Sequence, residues 1–189
     1  LEIVPSDDFS FSSSGIEIPG KSNICAEAFQ ILKNDFEIGN VKIHLHKLIP
    51  IGAGLGGGSA DGAFVLKALS ILFDLQLSNT ELEKYALQLG ADCPFFIENT
   101  SKYVAGIGEK MFAIDLDLSE FELKFIFPDL HISTAEAYGG VTPDIPEHNL
   151  LDAIKHPIDN WKEEVRNDFE VSAFAKYPQL AKMKAKLYA

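Results

Sequence analysis

Hydrophobic and polar residues alternate through VKIHLHK, where Val41, Ile43 and Leu45 interleave with Lys42, His44 and His46. That period of two predicts a strand over 41–47 with one buried face. Residues 60–73 hold mostly Ala, Leu, Ile and Phe, interrupted only by Asp61, Gly62, Lys67 and Ser70. They predict a largely buried helix with Ser59 as its N-cap. Ser78-Asn79-Thr80-Glu81 has capping-box form, and Leu82, Tyr85, Ala86 and Leu89 follow at helical spacing before Gly90 stops the run.

Upstream, LEIV, FSFSS and IEI are expected as short strands separated by Pro5, Asp7, Asp8 and Gly15, and Ser22 as the cap of a helix to about Lys33 with Ile24, Ala28, Ile31 and Leu32 on its apolar face. Downstream the character changes. KYVAGIG, KMFAI and FELKFIF predict strands, Ser133 and Thr134 cap a short helical turn, and PEHNLL, DNWKEEVRNDFEVSAFAKY and PQLAKMKAKLYA predict helices. The change predicts two domains, 1–103 and 104–189. LEIV opens already in strand pattern and KMKAKLYA stops within a helical one, so the chain is expected to be cut at both ends.

A length of 189 residues suffices for one substantial core or two small ones. The net charge of −12, with no basic block, argues against nucleic acid or an anionic membrane as the main partner. No apolar run approaches the roughly 20 residues that span a bilayer. No secretory signal pattern opens the chain, so a cytoplasmic location is the default expectation. Cys25 and Cys93 form neither a disulfide framework nor a zinc spacing, and both are expected to be reduced.

Between the strand and the buried helix lie six glycines in eleven positions, Gly52, Gly54, Gly56, Gly57, Gly58 and Gly62. Clustered glycine means either slack or a backbone that approaches something closely, and the apolar flanks favour the second. A glycine turn leading into a helix offers free N–H groups and the positive end of the helix dipole, a site for phosphate. A Walker A loop would need lysine where Gly58 stands. Gly52, Gly54 and Gly57 satisfy G-x-G-x-x-G, but a dinucleotide fold needs a second strand next, and here a second helix follows.

Asp92 follows the Gly90 stop beside apolar Pro94, Phe95 and Phe96, as a functional carboxylate held out of water or as a plain turn cap would. Cys93 has no histidine placed as its base, which favours a small buried residue over a nucleophile. His44 and His46 share a strand face but lack a third ligand, which favours two solvated histidines over a metal site. Tyr138 either stacks on a ring or packs in a core, and the pattern favours the core.

PIGAGLGGGSADGA at 50–63 resembles the second motif of the GHMP kinases. Most of that superfamily carries a serine pair where Gly57 and Gly58 precede Ser59. The triple glycine together with LGADCPFF at 89–96 is similar to the branch that phosphorylates a methylerythritol carrying a cytidine diphosphate, on the non-mevalonate isoprenoid route. The likeness runs on through SNICAEAF, GIGEK, HISTAEAY and VRNDFE.

The resemblance implies an α+β, two-domain GHMP kinase fold, here truncated at both ends, with 1–103 as the ATP-binding domain lacking its first strand and 104–189 as an incomplete second domain. ATP and substrate would meet between the domains. It implies that Pro50, Ile51, Gly52, Ala53, Gly54, Leu55, Gly56, Gly57, Gly58, Ser59 and Ala60 wrap the triphosphate, that Ser59 helps hold Mg²⁺, and that Asn23 and Lys47 lie near the adenine. Asp92 would take the catalytic role at the substrate 2-hydroxyl, and Thr134, Ala135 and Tyr138 would cover the cytosine. The family's early lysine strand, its Tyr-His pair and its late Gly-Ser loop have no match here. Their loss should cost several kcal/mol of transition-state stabilisation, so these 189 residues alone are expected to be inactive. The alternatives are another GHMP small-molecule kinase, of homoserine or mevalonate type, and a nucleotide-binding module without turnover; LGADCPFF argues against the first.

Overall fold

The computed structural model describes residues 1–20, 23–106, 108 and 110–188. The chain groups into two compact units, Leu1–Phe121 and Glu122–Ala189.

In the first unit, β1 (Glu2–Ser6), β2 (Ser10–Gly15) and β3 (Asn40–Lys47) form a sheet in the order β1-β3-β2. The central β3 runs antiparallel to β1 and parallel to β2. The alternation in VKIHLHK becomes burial: Val41, Ile43, Leu45 and Lys47 face inward, while Lys42 and His46 face out. His44 and His46 are paired in register with Ser12 and Ser14. Ser12 Oγ lies 2.9 Å from His44 Nδ1, and Ser14 Oγ lies 3.0 Å from His44 Nε2 and 2.9 Å from His46 Nδ1. IEI is not a strand. Gly15 pairs with Lys47, the last residue of β3, so the ladder has no partner beyond it and only the Ile16 amide still donates to the Lys47 carbonyl.

Helices α1 (Ile24–Asp35), α2 (Gly57–Leu72) and α3 (Asn79–Leu89) follow, then the single turn α4 (Phe95–Glu98) and the antiparallel hairpin β4 (Lys102–Ala105) and β5 (Lys110–Ala113). Asn23 caps α1, its Oδ1 accepting from the Cys25 amide at 2.8 Å. Ser22, expected as that cap, lies outside the described residues, as do Ile107 and Glu109 of GIGEK. The capping box of α3 is formed: Ser78 Oγ accepts from the Glu81 amide and Glu81 returns a carboxylate to the Ser78 amide. Ala28, Phe29 and Leu32 of α1, Ile43 of β3, and Leu66 and Leu69 of α2 form the centre of one apolar core. Burying such side chains stabilises by about 1.5–3 kcal/mol each. That core holds the end of β3 and the start of α2 in place.

The second unit contains α5 (Thr134–Gly139), α6 (Leu150–Ala153), a 3₁₀ turn (Ile158–Asn160), α7 (Trp161–Glu164), α8 (Phe169–Lys176) and α9 (Pro178–Leu187). Ser133 is the N-cap of α5, with Thr134 its first helical residue. FELKFIF forms no ladder among the described residues, and Leu123, Phe125 and Phe127 are exposed: alternation marks a face, but a strand also needs a neighbour. The helix expected over DNWKEEVRNDFEVSAFAKY is divided. Val165 is extended, and Asn167 Oδ1 accepts from the Phe169 amide at 3.1 Å, so a local side-chain bond starts a new helix.

Candidate active site

The glycine segment turns through three left-handed positions, Gly52, Gly54 and Gly56, with φ of 72°, 72° and 65°. Gly56 is the N-cap of α2, and a Cβ there would stand 2.7 Å from Cζ of Phe96. Alanine would meet both a backbone conformation that L residues disfavour and an aromatic ring beneath it. Ser59 is therefore not the cap. The left-handed glycine already turns the chain into the helix at Gly57, leaving Ser59 inside the first turn. The first amides of an α-helix have no intrahelical acceptor, and those of Gly57 and Gly58 stand at this positive end. The Ala60 amide already donates to the Gly56 carbonyl. Pro50, Ile51 and Leu55 are exposed and Ala53 is half-buried.

Lys47, at the end of β3, is only 5% exposed and its Nζ lies 2.5 Å from Oδ2 of Asp61, itself 20% exposed. The ammonium sits 3.3 Å from the point a Cβ on Gly57 would occupy, so it runs under the first turn of α2. Sequence reasoning missed Asp61. Its one signal was a carboxylate in an otherwise apolar helix, and its partner lies on another element.

Asp92 lies in the turn between α3 and α4, where the Cys93 amide donates to the Gly90 carbonyl. Its carboxylate is exposed, because Cys93, Pro94 and Ile97 take the inward positions; the expected shielding from water by apolar neighbours does not arise. Asp92 and the Gly54-Leu55-Gly56 elbow line one open cleft of about 270 Å³, together with Phe95, Phe96, Val104, Gly108 and Met111. Cys93 is fully buried and its thiol is pushed up, by burial first and by the Asp92 charge, against the Ser59 hydrogen bond. A buried protonated thiol packs rather than attacks. Cys25 is pushed up to about 12, again by burial first, with the Asp61 charge adding to it.

On α5, Thr134, Ala135 and Tyr138 are all exposed, and Tyr138 at 68% is not a core residue. Its ring meets Phe169 edge-on, centroids 5.1 Å apart. The opposite face of α5 is tied to α8 and the residue beyond it: Glu136 Oε1 accepts from Lys176 Nζ and from Tyr177 Oη, both at 2.7 Å. Among the described residues, no group of three or more His, Cys, Asp or Glu side chains could hold a metal ion, and no helix is long and apolar enough to cross a membrane.

A left-handed glycine elbow delivering a helix N-terminus, with a carboxylate on the same cleft, is suited to a phosphorylated ligand. Residues 23–99 match the GHMP kinases N terminal domain. The chain is 46% identical to a 4-diphosphocytidyl-2-C-methyl-D-erythritol kinase of Azobacteroides pseudotrichonymphae, over all of this chain and 72% of that protein. It is 45% identical to the protein of the same name from Parabacteroides distasonis, over all of this chain and 70% of the relative. A crystal structure of 4-(cytidine 5'-diphospho)-2C-methyl-D-erythritol kinase superimposes with a TM-score of 0.75 at 29% identity, over 98% of this chain and 68% of the other. The family match, these relatives and the shared fold make the chain a GHMP kinase, of an enzyme class that phosphorylates small molecules. Within that class the chain belongs to the 4-diphosphocytidyl-2-C-methyl-D-erythritol kinase family.

Proposed function

We propose that the protein transfers the γ-phosphoryl group of ATP to the 2-hydroxyl of 4-diphosphocytidyl-2-C-methyl-D-erythritol. The observation that carries this is the shared cleft, whose lining includes both Asp92 and the Gly54–Gly56 elbow. Phosphoryl transfer asks mainly for positioning and for positive potential where charge spreads over the phosphate oxygens. The amides of Gly57 and Gly58 and the α2 dipole would supply both, with residues 50–55, exposed but for half-buried Ala53, wrapping the outer phosphates. Asp92 would accept the proton of the attacking hydroxyl. One O–P bond forms to the sugar, the bond from the γ-phosphorus to the β,γ-bridging oxygen breaks, and ADP leaves with that electron pair.

Mg²⁺ typically keeps several waters and takes phosphate oxygens with few protein donors. Ser59, in the first turn of α2, would hold it through its hydroxyl, and the bound ion would neutralise phosphate charge. Asn23 would approach the adenine with its side-chain NH₂, since Oδ1 is used in the cap. Thr134, Ala135 and Tyr138 would cover the cytosine, consistent with their exposure. The domain division proposed at 103 would assign the β4–β5 hairpin, whose Met111 lines the cleft, mainly to the second domain.

The test is Asp92→Asn in the full-length protein, which keeps the shape and removes the basic site. Turnover should fall by on the order of 10² or more with ATP binding nearly unchanged. Turnover within about threefold of the parent would return Asp92 to the role of a turn residue.

A further inference from the structure

We propose that Asp61 is a positioning residue for the nucleotide loop, acting through Lys47: their buried ion pair braces the two ends of segment 48–56 and sets where the amides of Gly57 and Gly58 stand. This rests on taking the loop as the phosphate cradle. Lys47 faces inward because the period of β3 sends it there, and an ammonium 5% exposed requires a counter-charge. Asp61 lies four residues after Gly57, so both fall on the same face of α2. The Lys47 side chain passes beneath that face, within 3.3 Å of the space over Gly57, to reach the carboxylate. Strand end and helix start are thus joined directly, while the loop between them is almost entirely exposed.

The charges must balance. A helix N-terminus carries roughly half a positive charge, so an ammonium under it is unfavourable unless a carboxylate stands beside it. Asp61→Asn leaves that ammonium unpaired, and relief comes from displacing either the Lys47 chain or the first turn of α2 that lies on it. Either movement shifts the donors that the γ-phosphate needs, and misplacement by about 1 Å can cost on the order of 10²-fold. Asp61 touches no ligand, and the Lys47 ammonium serves as the strut that reaches it.

The experiment measures the affinity of the full-length protein for ATP with Mg²⁺ by calorimetry, and KM for both substrates, in Asp61→Asn, Lys47→Met and the paired variant Lys47→Met/Asp61→Leu. Each single change should weaken ATP binding by on the order of tenfold or more. KM for the cytidine substrate should move by less than about threefold, whereas kcat at saturating ATP should fall together with ATP affinity, because the displaced amides also serve the transition state. The paired variant removes both buried charges and packs in their place, so it should recover ATP affinity to within about threefold of the parent. Parent-like binding by Asp61→Asn would overturn the proposal. So would a folded paired variant as weak as Lys47→Met alone, because Lys47 would then touch the nucleotide itself. If Asp61→Asn does not fold, the comparison of the paired variant with Lys47→Met still decides. Failure of the parent to bind ATP would instead remove the phosphate-cradle assignment.

Discussion

Replacing Gly56 by alanine adds one methyl group at the point where the loop enters α2, and two separate costs follow from its surroundings. The residue has φ of 65°, and an L side chain in that left-handed region costs about 1–2 kcal/mol. The new Cβ would also stand 2.7 Å from Cζ and 3.1 Å from Cε2 of Phe96, so the ring must move, at about 1–3 kcal/mol for an overpacked site. The expected loss is about 2–5 kcal/mol. Gly54 provides the control: its φ is 72°, yet a Cβ there meets nothing within 4 Å, so Gly54→Ala should cost only the backbone term of about 1–2 kcal/mol. Urea unfolding of both variants beside the parent, at unchanged m, reads the difference directly. Phe96 also lines the cleft, so the displaced ring should weaken ATP binding in Gly56→Ala more than in Gly54→Ala. Equal stability of the two variants would refute the contact between Gly56 and Phe96, and with it this description of the elbow.

Two further outcomes are expected. Tyr138→Ala, at a residue 68% exposed, should change stability by no more than about 0.5 kcal/mol but raise KM for the cytidine substrate by the equivalent of about 1–3 kcal/mol, with KM for ATP unmoved; a parallel rise in both, or a falling Tm, would remove Tyr138 from the site. The folded chain holds the Cys25 proton to about 12, whereas the unfolded chain releases it near the ordinary value of 9.0, so this contribution is complete below pH 9 and is lost between 9 and 12. By pH 10.5 the loss should be on the order of 2 kcal/mol, and Cys25→Ala should lose less stability than the parent between pH 8.5 and 10.5 in urea titrations.

Features with local causes were legible in the chain. The period of two in VKIHLHK, the Ser78/Glu81 capping box and the Gly90 stop each depend on neighbours a few residues away, and each is present. Features that depend on a distant partner were not. FELKFIF alternates as well as β3 does but finds no ladder, and IEI stops being a strand where β3 ends. Ser59 has the chemistry of a cap, yet the left-handed turn at Gly56 takes the position first. Asp61 was passed over because the lysine that gives it meaning lies on a strand fourteen residues earlier. For Asp92 the apolar neighbours were visible, but not that they turn inward and leave the carboxylate outside.

The strand order β1-β3-β2 also bears on how this chain acquires its structure. The first two strands are adjacent in sequence but never bond to each other; Ile3 and Phe11 both wait for Ile43, which inserts between them. β1 and β2 therefore make no hairpin with each other that could act as a seed. During synthesis β1 and β2 emerge before the strand that joins them, and α1 is complete before that common partner leaves the ribosome. Sheets assembled this way close long loops before any contact rewards them, which slows folding and prolongs the exposure of strand edges. The order predicts that α1 and β3, rather than the two opening strands, carry the early folding contacts, and that substitutions weakening Ile43 slow folding more than equal changes at Ile3.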